Sequence, residues 1–359
     1  MAKIRVGERP PTVEELHFRS DSAFLCLLLN RRMRTIRVID FRAGALPAKR
    51  LFIQSIAQRE GIEKVITLVE KDEVSSWTRV GFVREGTIPG FYKRSDGHLC
   101  GCVIGDRTAS IEVSEDGHRL AERTINNAKK NGKDLEDEIR GVTLRGVEAK
   151  VALAARDQAW DKGEGIGGFD PFGRGVLRLF LEASPQTKKS RANYLSVEFQ
   201  DCFGHALVEV LRSPTDEGEI LATAAGLRAF GDELKRRSIV SVFGFGPSDD
   251  EKLSMSYHAA GFRKTGLLAR GIQVGNERRD AILWSRKLFN PAGEPGEAAE
   301  DRHVPRLAER HVRALQRPAG LLAEVAVRDG EQRRRERGGR GHACSGTNEI
   351  GAVSAGAST

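Results

Sequence analysis

Trp77 and Tyr257 hold the same place in a pattern that the chain states twice. Residues 76–86 read SWTRVGFVREG and residues 256–266 read SYHAAGFRKTG: Ser, aromatic, three residues, Gly-Phe, three residues, Gly. A phenol can share or surrender its proton to a departing anion, whereas an indole N–H is far too weak an acid to do so. Proton-transfer chemistry at this position therefore belongs to the second copy. Other reactive residue types are sparse. Cys100 and Cys102 form a Cys-x-Cys with no second pair at metal-ligand spacing, so no structural zinc site is expected. On a strand, those two thiols share a face. Gly163-Glu164-Gly165-Ile166-Gly167-Gly168 approaches a dinucleotide fingerprint but follows a helical segment instead of a strand, which removes the context that motif needs.

The elements that must position these residues follow from hydrophobic period and punctuation. In the first half, residues 35–41 read as a strand, 48–61 as a helix ending at Gly61, and 64–70 as a β-branched strand. A short helix carrying Ser76 and Trp77 is broken by Gly81, and two strands close the series. The second half repeats the order. YLSVEFQD and HALVEVL are strands, and residues 217–238 form a helix with Leu227, Phe230 and Leu234 on one face and Lys235, Arg236 and Arg237 in its last turn. IVSVFGFG is a strand. Ser248 to Glu251 has the form of a capping box opening the helix that bears Tyr257. Two further strands finish the unit. A strand–helix–strand crossing gives a parallel pair, and the closing antiparallel strands make the sheet mixed. The expected class is therefore α/β, an α+β mixed sheet built from two tandem units.

The expected domain limits are 1–110 for a degenerate first unit, 111–145 for a polar linker or helix, 146–289 for a complete second unit, and 290–359 for a low-complexity tail. That tail is too poor in apolar residues to order itself and is expected to be mostly disordered. Its Arg302, Arg306, Arg310, Arg313 and Arg317 would line one helical stripe, the one place where a nucleic acid could bind. Residues 291–359 hold eleven Arg against ten Asp or Glu and so carry only +1 of the net charge of +8; the excess is spread over the body. Diffuse positive charge suits a protein that handles a polyanionic small molecule. No apolar run reaches the roughly 20 residues of a membrane span, and the first residues lack the apolar core of a secretory signal, so a cytoplasmic protein is expected.

This combination resembles the acetyl-CoA-dependent N-acetyltransferases of the GNAT superfamily, and more narrowly the β-lysine N-acetyltransferases, in which a degenerate GNAT-like unit precedes a complete one. The matching stretches are residues 63–70 and 81–99 in the first half and 257–288 in the second. The resemblance covers about residues 35–107 and 147–288. It implies an N-acyltransferase that takes acetyl-CoA and a small amine or amino acid, without a metal. It places Tyr257 as general acid to the departing thiolate and Glu209 as base for the amine, with Glu198 in reserve. A carboxylate partly removed from water has its pKa raised toward the useful range. Leu211, Ser213, Gly218, Glu219, Ile220 and Ser248 would lie along the coenzyme, with strand backbone holding its pantetheine arm. Phe169, with Asp170 and Phe172 in the glycine-rich loop, would face the amine. The sequence departs from the family where the coenzyme's pyrophosphate should sit on glycine-bearing backbone at a helix N-terminus. Glu217 precedes Gly218 in place of an arginine, Ile220 stands in place of a glycine, and Asp216, Glu217 and Glu219 crowd three carboxylates there. The first half keeps Arg42, Gly44, Lys49 and Arg50 in its corresponding turn, along with Pro47. The rival expectation is a GNAT-like binding or regulatory scaffold without catalysis.

Overall fold

The computed structural model describes residues 13–19, 24–39, 46–104, 112–133, 135, 141–168, 176–185, 189–200, 204–290 and 325–326. In the first half, strands β1 (Val13–Arg19), β2 (Phe24–Asn30) and β3 (Thr35–Ile39) lead into helix α1 (Leu46–Arg59). Strand β4 (Lys64–Val69), helix α2 (Val74–Arg79), β5 (Val83–Ile88) and β6 (Gly97–Val103) follow. Helix α3 (Glu115–Asn131), capped by the Ser114 hydroxyl, leads to β7 (Val142–Gly146), α4 (Ala149–Asp161) and the short β8 (Ile166–Gly167). Strands β9 (Leu177–Pro185), β10 (Asn193–Phe199) and β11 (His205–Val210) precede helix α5 (Glu217–Arg236). Strand β12 (Ser241–Pro247), helix α6 (Glu251–Ala259), β13 (Arg263–Val274) and β14 (Glu277–Lys287) complete this half. Within residues 290–359 the described part beyond Asn290 is β15 (Val325–Ala326), which pairs with β9, so the arginine stripe lies outside the described residues.

These strands form one mixed sheet in the order β1-β2-β3-β4-β6-β5-β13-β14-β12-β11-β10-β9-β15. The two halves follow the same path. β3 pairs parallel with β4 across α1, then β4 with β6 and β6 with β5 antiparallel. β11 pairs parallel with β12 across α5, then β12 with β14 and β14 with β13 antiparallel. The halves meet at β5 and β13, where Gly86 stands opposite Gly266. Those are the final glycines of the repeated pattern. A Cβ on Gly266 would lie 2.5 Å from the Glu85 carbonyl and one on Gly86 would lie 3.0 Å from Gly266 Cα, so only glycine permits this approach.

The rest of the pattern also has a structural reason. Gly81 (φ +92°) and Gly261 (φ +80°) end α2 and α6 in a conformation that side chains disfavour. The following Phe82 and Phe262 turn inward and meet the helix aromatic edge-on. Trp77–Phe82 centroids are 4.9 Å apart and Tyr257–Phe262 centroids 5.3 Å.

The main apolar core crosses the seam, taking Ile66, Leu68, Ile88, Phe91 and Leu99 from the first half together with Phe243, Leu253, Tyr257 and Trp284 from the second. A second cluster, around Leu27, Ile53, Val65 and Trp77, belongs to the first half. At the seam itself, Lys64 Nζ donates to Glu85 Oε1 at 2.6 Å and to the Ala269 carbonyl at 2.8 Å, and both charged side chains are buried. No described helix is long and apolar enough to cross a membrane.

Candidate active site

The parallel pair β11–β12 is in register from His205 opposite Ser241 to Val208 opposite Gly244, and its pairing stops there. The strands part just where the second copy's phenol arrives. Tyr257 on α6 is fully buried, lies parallel to the Trp284 ring at 5.5 Å, and donates from its hydroxyl to the Phe245 carbonyl at 3.3 Å. A Cβ on Gly244 would fall 2.6 Å from that hydroxyl, so glycine on β12 makes the room for it. Burial, and then the charge of Glu209, push the phenol well above its ordinary pKa. Such a group stays protonated and acts as a hydrogen-bond donor. At rest the expected general acid thus carries its proton, which is engaged with the Phe245 carbonyl.

Glu209, next to Val208 on β11, is half-buried and accepts from the Ser196 hydroxyl at 3.4 Å. Its strand neighbour Val208 points the other way, toward Tyr257, so carboxylate and phenol flank the opening from opposite faces. Glu198 stands opposite Leu207 and so shares the Glu209 face, but its carboxylate is held by the Arg178 guanidinium at 2.6 Å. Phe169, Asp170 and Phe172 lie outside the described residues.

The expected coenzyme residues lie together at the start of α5, but engaged with the chain itself. The Leu211 amide donates to the Tyr194 carbonyl, and the Leu211 carbonyl accepts the Ile166 amide at 3.0 Å. Gly165 bridges Arg212, and β8 continues from there to β13, so the glycine-rich segment spans the ends of β11 and β13. The Ser213 hydroxyl donates to Asp250. Asp216 caps α5, its carboxylate accepting the Glu219 amide at 2.9 Å and the Ser190 hydroxyl at 2.8 Å. Gly218 is half-buried, and a Cβ there would meet the Ser190 hydroxyl at 2.8 Å. Glu217 is exposed, while Glu219 and Ile220 are buried. The three carboxylates thus take three different positions and do not form one acidic rim. Burial pushes Glu219 up, but Arg212 and the Thr215 amide outweigh it and hold the carboxyl down at about 2.

Ser248 is not the cap of α6. That role falls to Asp250, whose carboxylate accepts the Leu253 amide at 2.9 Å, while the Ser248 amide donates to the Asp280 carbonyl. The turn after Pro247 runs two residues further than the capping-box spacing suggests. Residues that sequence reasoning left unassigned complete this region: Arg212, Arg191 and Ser190 converge on the turn from different elements, which no local spacing could reveal. In the first half, Arg42 and Gly44 lie outside the described residues, Lys49 is fully buried, and Arg50 packs against Gly81.

Two cavities lie nearby. One of 490 Å³ sits on the β5–β13 seam between Arg84, Glu112, His118 and Lys264; another of 720 Å³ is lined by Lys129, His258, Phe262 and Trp284. Neither is lined by Tyr257 or Glu209. Among the described residues one group could hold a metal ion: Glu15, His17 and Cys26 on β1 and β2, with ligand atoms within 4.8 Å of one another.

Solved structures similar to part of this chain include N-acetyltransferases. They include a spermidine N-acetyltransferase from Vibrio cholerae, 13% identical over 41% of this chain and 94% of that one, with a TM-score of 0.31. The ribosomal-protein-S18-alanine N-acetyltransferase from Escherichia coli is 16% identical, covering 44% of this chain and 97% of that one, TM-score 0.29. RimJ from Mycobacterium smegmatis, solved with CoA-disulfide, is 15% identical over 48% and 88%, TM-score 0.32. No family model and no curated protein matches the chain.

Proposed function

We propose that the chain is an N-acyltransferase that transfers an acetyl group from acetyl-CoA to a small amine or amino acid in the cytoplasm, through the second of two tandem GNAT-like units. The observation that supports this reading is the convergence of a carboxylate and a phenol, from opposite faces, on the point where β11 and β12 stop pairing. Glu209 would take the proton from the acceptor's ammonium. Tyr257 would leave the Phe245 carbonyl and give its proton to the departing thiolate as the amine's nitrogen bonds to the acetyl carbon and the carbon–sulfur bond breaks. The free thiols of Cys100 and Cys102 suit a reducing compartment. The residues at the start of α5 do not fit the coenzyme's pyrophosphate as they stand, because Glu219 occupies the donors it would need. No step is therefore drawn through that turn.

A second reading rests on that same occupancy and on the engaged backbone of Leu211: a GNAT-like scaffold that binds or regulates without acyl transfer. One pair of measurements separates the two. Calorimetric titration with acetyl-CoA should give a saturable heat, and mass spectrometry of an amine panel should find acetylated product that falls about 100-fold in Tyr257→Phe and Glu209→Gln. No coenzyme binding at millimolar ligand together with no product leaves the scaffold.

A further inference from the structure

The turn that opens α5 has the donors of an oxyanion site and already holds an anion belonging to the chain. Glu219 is 1% exposed. Its Oε2 accepts the Arg212 guanidinium at 2.7 Å, the Thr215 amide at 2.8 Å and the Thr215 hydroxyl at 3.0 Å. Its Oε1 accepts the Arg191 amide at 3.1 Å, with the Arg191 guanidinium 3.6 Å away. Backbone amides, a hydroxyl and guanidinium groups gathered at a helix N-terminus are the set a phosphate group takes. The donors come from outside the helix, from the β11–α5 turn and the segment before β10, so the convergence is tertiary and not a by-product of capping. The cap is supplied separately by Asp216.

The surroundings fix this arrangement. Arg212 is nearly buried, and a second nitrogen of its guanidinium donates to the Ala192 carbonyl at 3.1 Å. Its own carbonyl accepts Asn193 Nδ2, which also donates to Thr223. Lys252 donates to the Thr215 carbonyl, tying the turn to α6. A cavity of 120 Å³ adjoins two of these donors, Arg191 and Arg212, and is lined also by Lys162, Glu164, Asn193 and Leu211.

We propose that the Glu219 carboxylate is a built-in substitute for the diphosphate of an external ligand: it fills the oxyanion cradle at the start of α5, and a diphosphate binds there only when that carboxylate is removed. The inference is independent of whether the β11–β12 opening catalyses anything, since it concerns the occupant of an anion site. It also accounts for the acidic character of this turn. A carboxylate at residue 219 stands among the cations and amides, whereas one at residue 217 faces water and repels an arriving anion.

The test uses the full-length chain and inorganic pyrophosphate as probe, read by calorimetry and by thermal unfolding at low salt. Wild type should show neither heat nor a shift in Tm at 1 mM probe. Glu219→Ala leaves Arg212 without its buried partner, so it should melt lower and recover several degrees with pyrophosphate, binding at least about tenfold tighter than wild type. Adding Arg212→Met should remove the gain. Glu219→Gln, which keeps the shape, should show a smaller gain. If Glu219→Ala folds poorly alone, its refolding yield with and without pyrophosphate gives the same readout. Stability or yield indifferent to pyrophosphate in both single variants overturns the proposal. So does wild type that binds the probe as tightly as Glu219→Ala, or a gain that survives Arg212→Met.

Discussion

At the scale of single residues, Tyr257 is held by its neighbours more tightly than a surface proton donor would be. Its ring is fixed by Trp284 and Phe262 and its hydroxyl by the Phe245 carbonyl. Gly244 leaves the only space that hydroxyl can use on β12, since an added Cβ would stand 2.6 Å from it and 2.8 Å from the Val208 carbonyl. Gly244→Ala should therefore destabilise the chain by about 1–3 kcal/mol, the cost of overpacking a filled core. Tyr257→Phe should cost only about 1 kcal/mol, the net value of one hydrogen bond. Denaturant unfolding of both variants measures this, and a Gly244→Ala variant as stable as wild type would show that α6 moves freely over the opening. In combination, Tyr257→Phe/Gly244→Ala should recover part of the loss, because the clashing oxygen is gone. The sequence made this residue legible through the repeat. Trp77 and Tyr257, Gly81 and Gly261, and Gly86 and Gly266 each play the same structural part in both copies. The burial of the phenol was not legible, because it depends on Trp284 and Phe245 arriving from strands that local spacing does not relate to α6.

Among the elements, the decisive contact is the seam where β5 meets β13 through two glycines. Beside it, Lys64 of β4 reaches Glu85 of β5 and the backbone of β13, and the Ala269 amide returns a bond to Glu85 Oε1 at 3.0 Å. Glu85 Oε2 has no hydrogen-bond partner and lies 1.8 Å from where a Cβ on Gly101 would be. Burial pushes the Glu85 carboxyl up and the Lys64 ammonium down, each toward its neutral form, and the charge of each partner opposes that shift. Removing one partner strands a buried charge. Lys64→Met should thus cost about 3–5 kcal/mol at neutral pH, while Lys64→Met/Glu85→Leu should cost less than the single change. The single variant's deficit should shrink as pH falls, since the stranded carboxyl then takes a proton. A double-mutant cycle by urea unfolding at two pH values checks both statements, and strictly additive losses would contradict them. The sequence announced β4 through its apolar run, β5 and β13 through the Gly-Phe steps that open them, α5 through its periodicity and α6 through the repeated pattern, with its cap two residues from the expected Ser248. Strands β1 and β7 carry a weaker signal, but β2 and β9 do not. Residues 24–30 and 177–181 are nearly unbroken apolar stretches of strand length, a signal as strong as that of β4. Which strands form the seam was not legible, since pairing across residues 86 and 266 is a choice between sheet edges that composition leaves open.

For the molecule as a whole, the two halves are coupled by a residue whose protonation the fold refuses. His205 at the start of β11 stacks on Phe91 of the first half, with ring centroids 3.5 Å apart, and its Nδ1 lies 2.9 Å from the Phe91 carbonyl. The neutral ring with its proton on Nδ1 satisfies that carbonyl. Burial, aided by the charge of Arg37 and opposed by the Phe91 carbonyl, lowers the imidazole from its ordinary 6.5 to about 3. A histidine depressed in the folded state contributes its full stability above the unfolded value. As pH falls below about 6.5, the unfolded chain binds a proton that the folded chain does not take until about pH 3, so stability declines across that window. One proton corresponds to about 1.4 kcal/mol per pH unit, so between pH 6.5 and 5 this site should cost about 2 kcal/mol. His205→Gln keeps an N–H for the Phe91 carbonyl but cannot titrate. Its stability at neutral pH should be somewhat lower than wild type, and its decline toward pH 5 should be shallower by about that amount. Urea unfolding of both proteins across the range measures the difference in slope. Because His205 and Phe91 sit in the core that crosses the seam, the acid limb should appear as one transition by both tryptophan fluorescence and circular dichroism. Trp77 in the first half and Trp284 in the second report on separate sides of that seam, so replacing each in turn by phenylalanine localises the signal. Two transitions at different pH values, one following Trp77 and one following Trp284, would mean that the halves unfold independently and that the His205–Phe91 contact does not couple them.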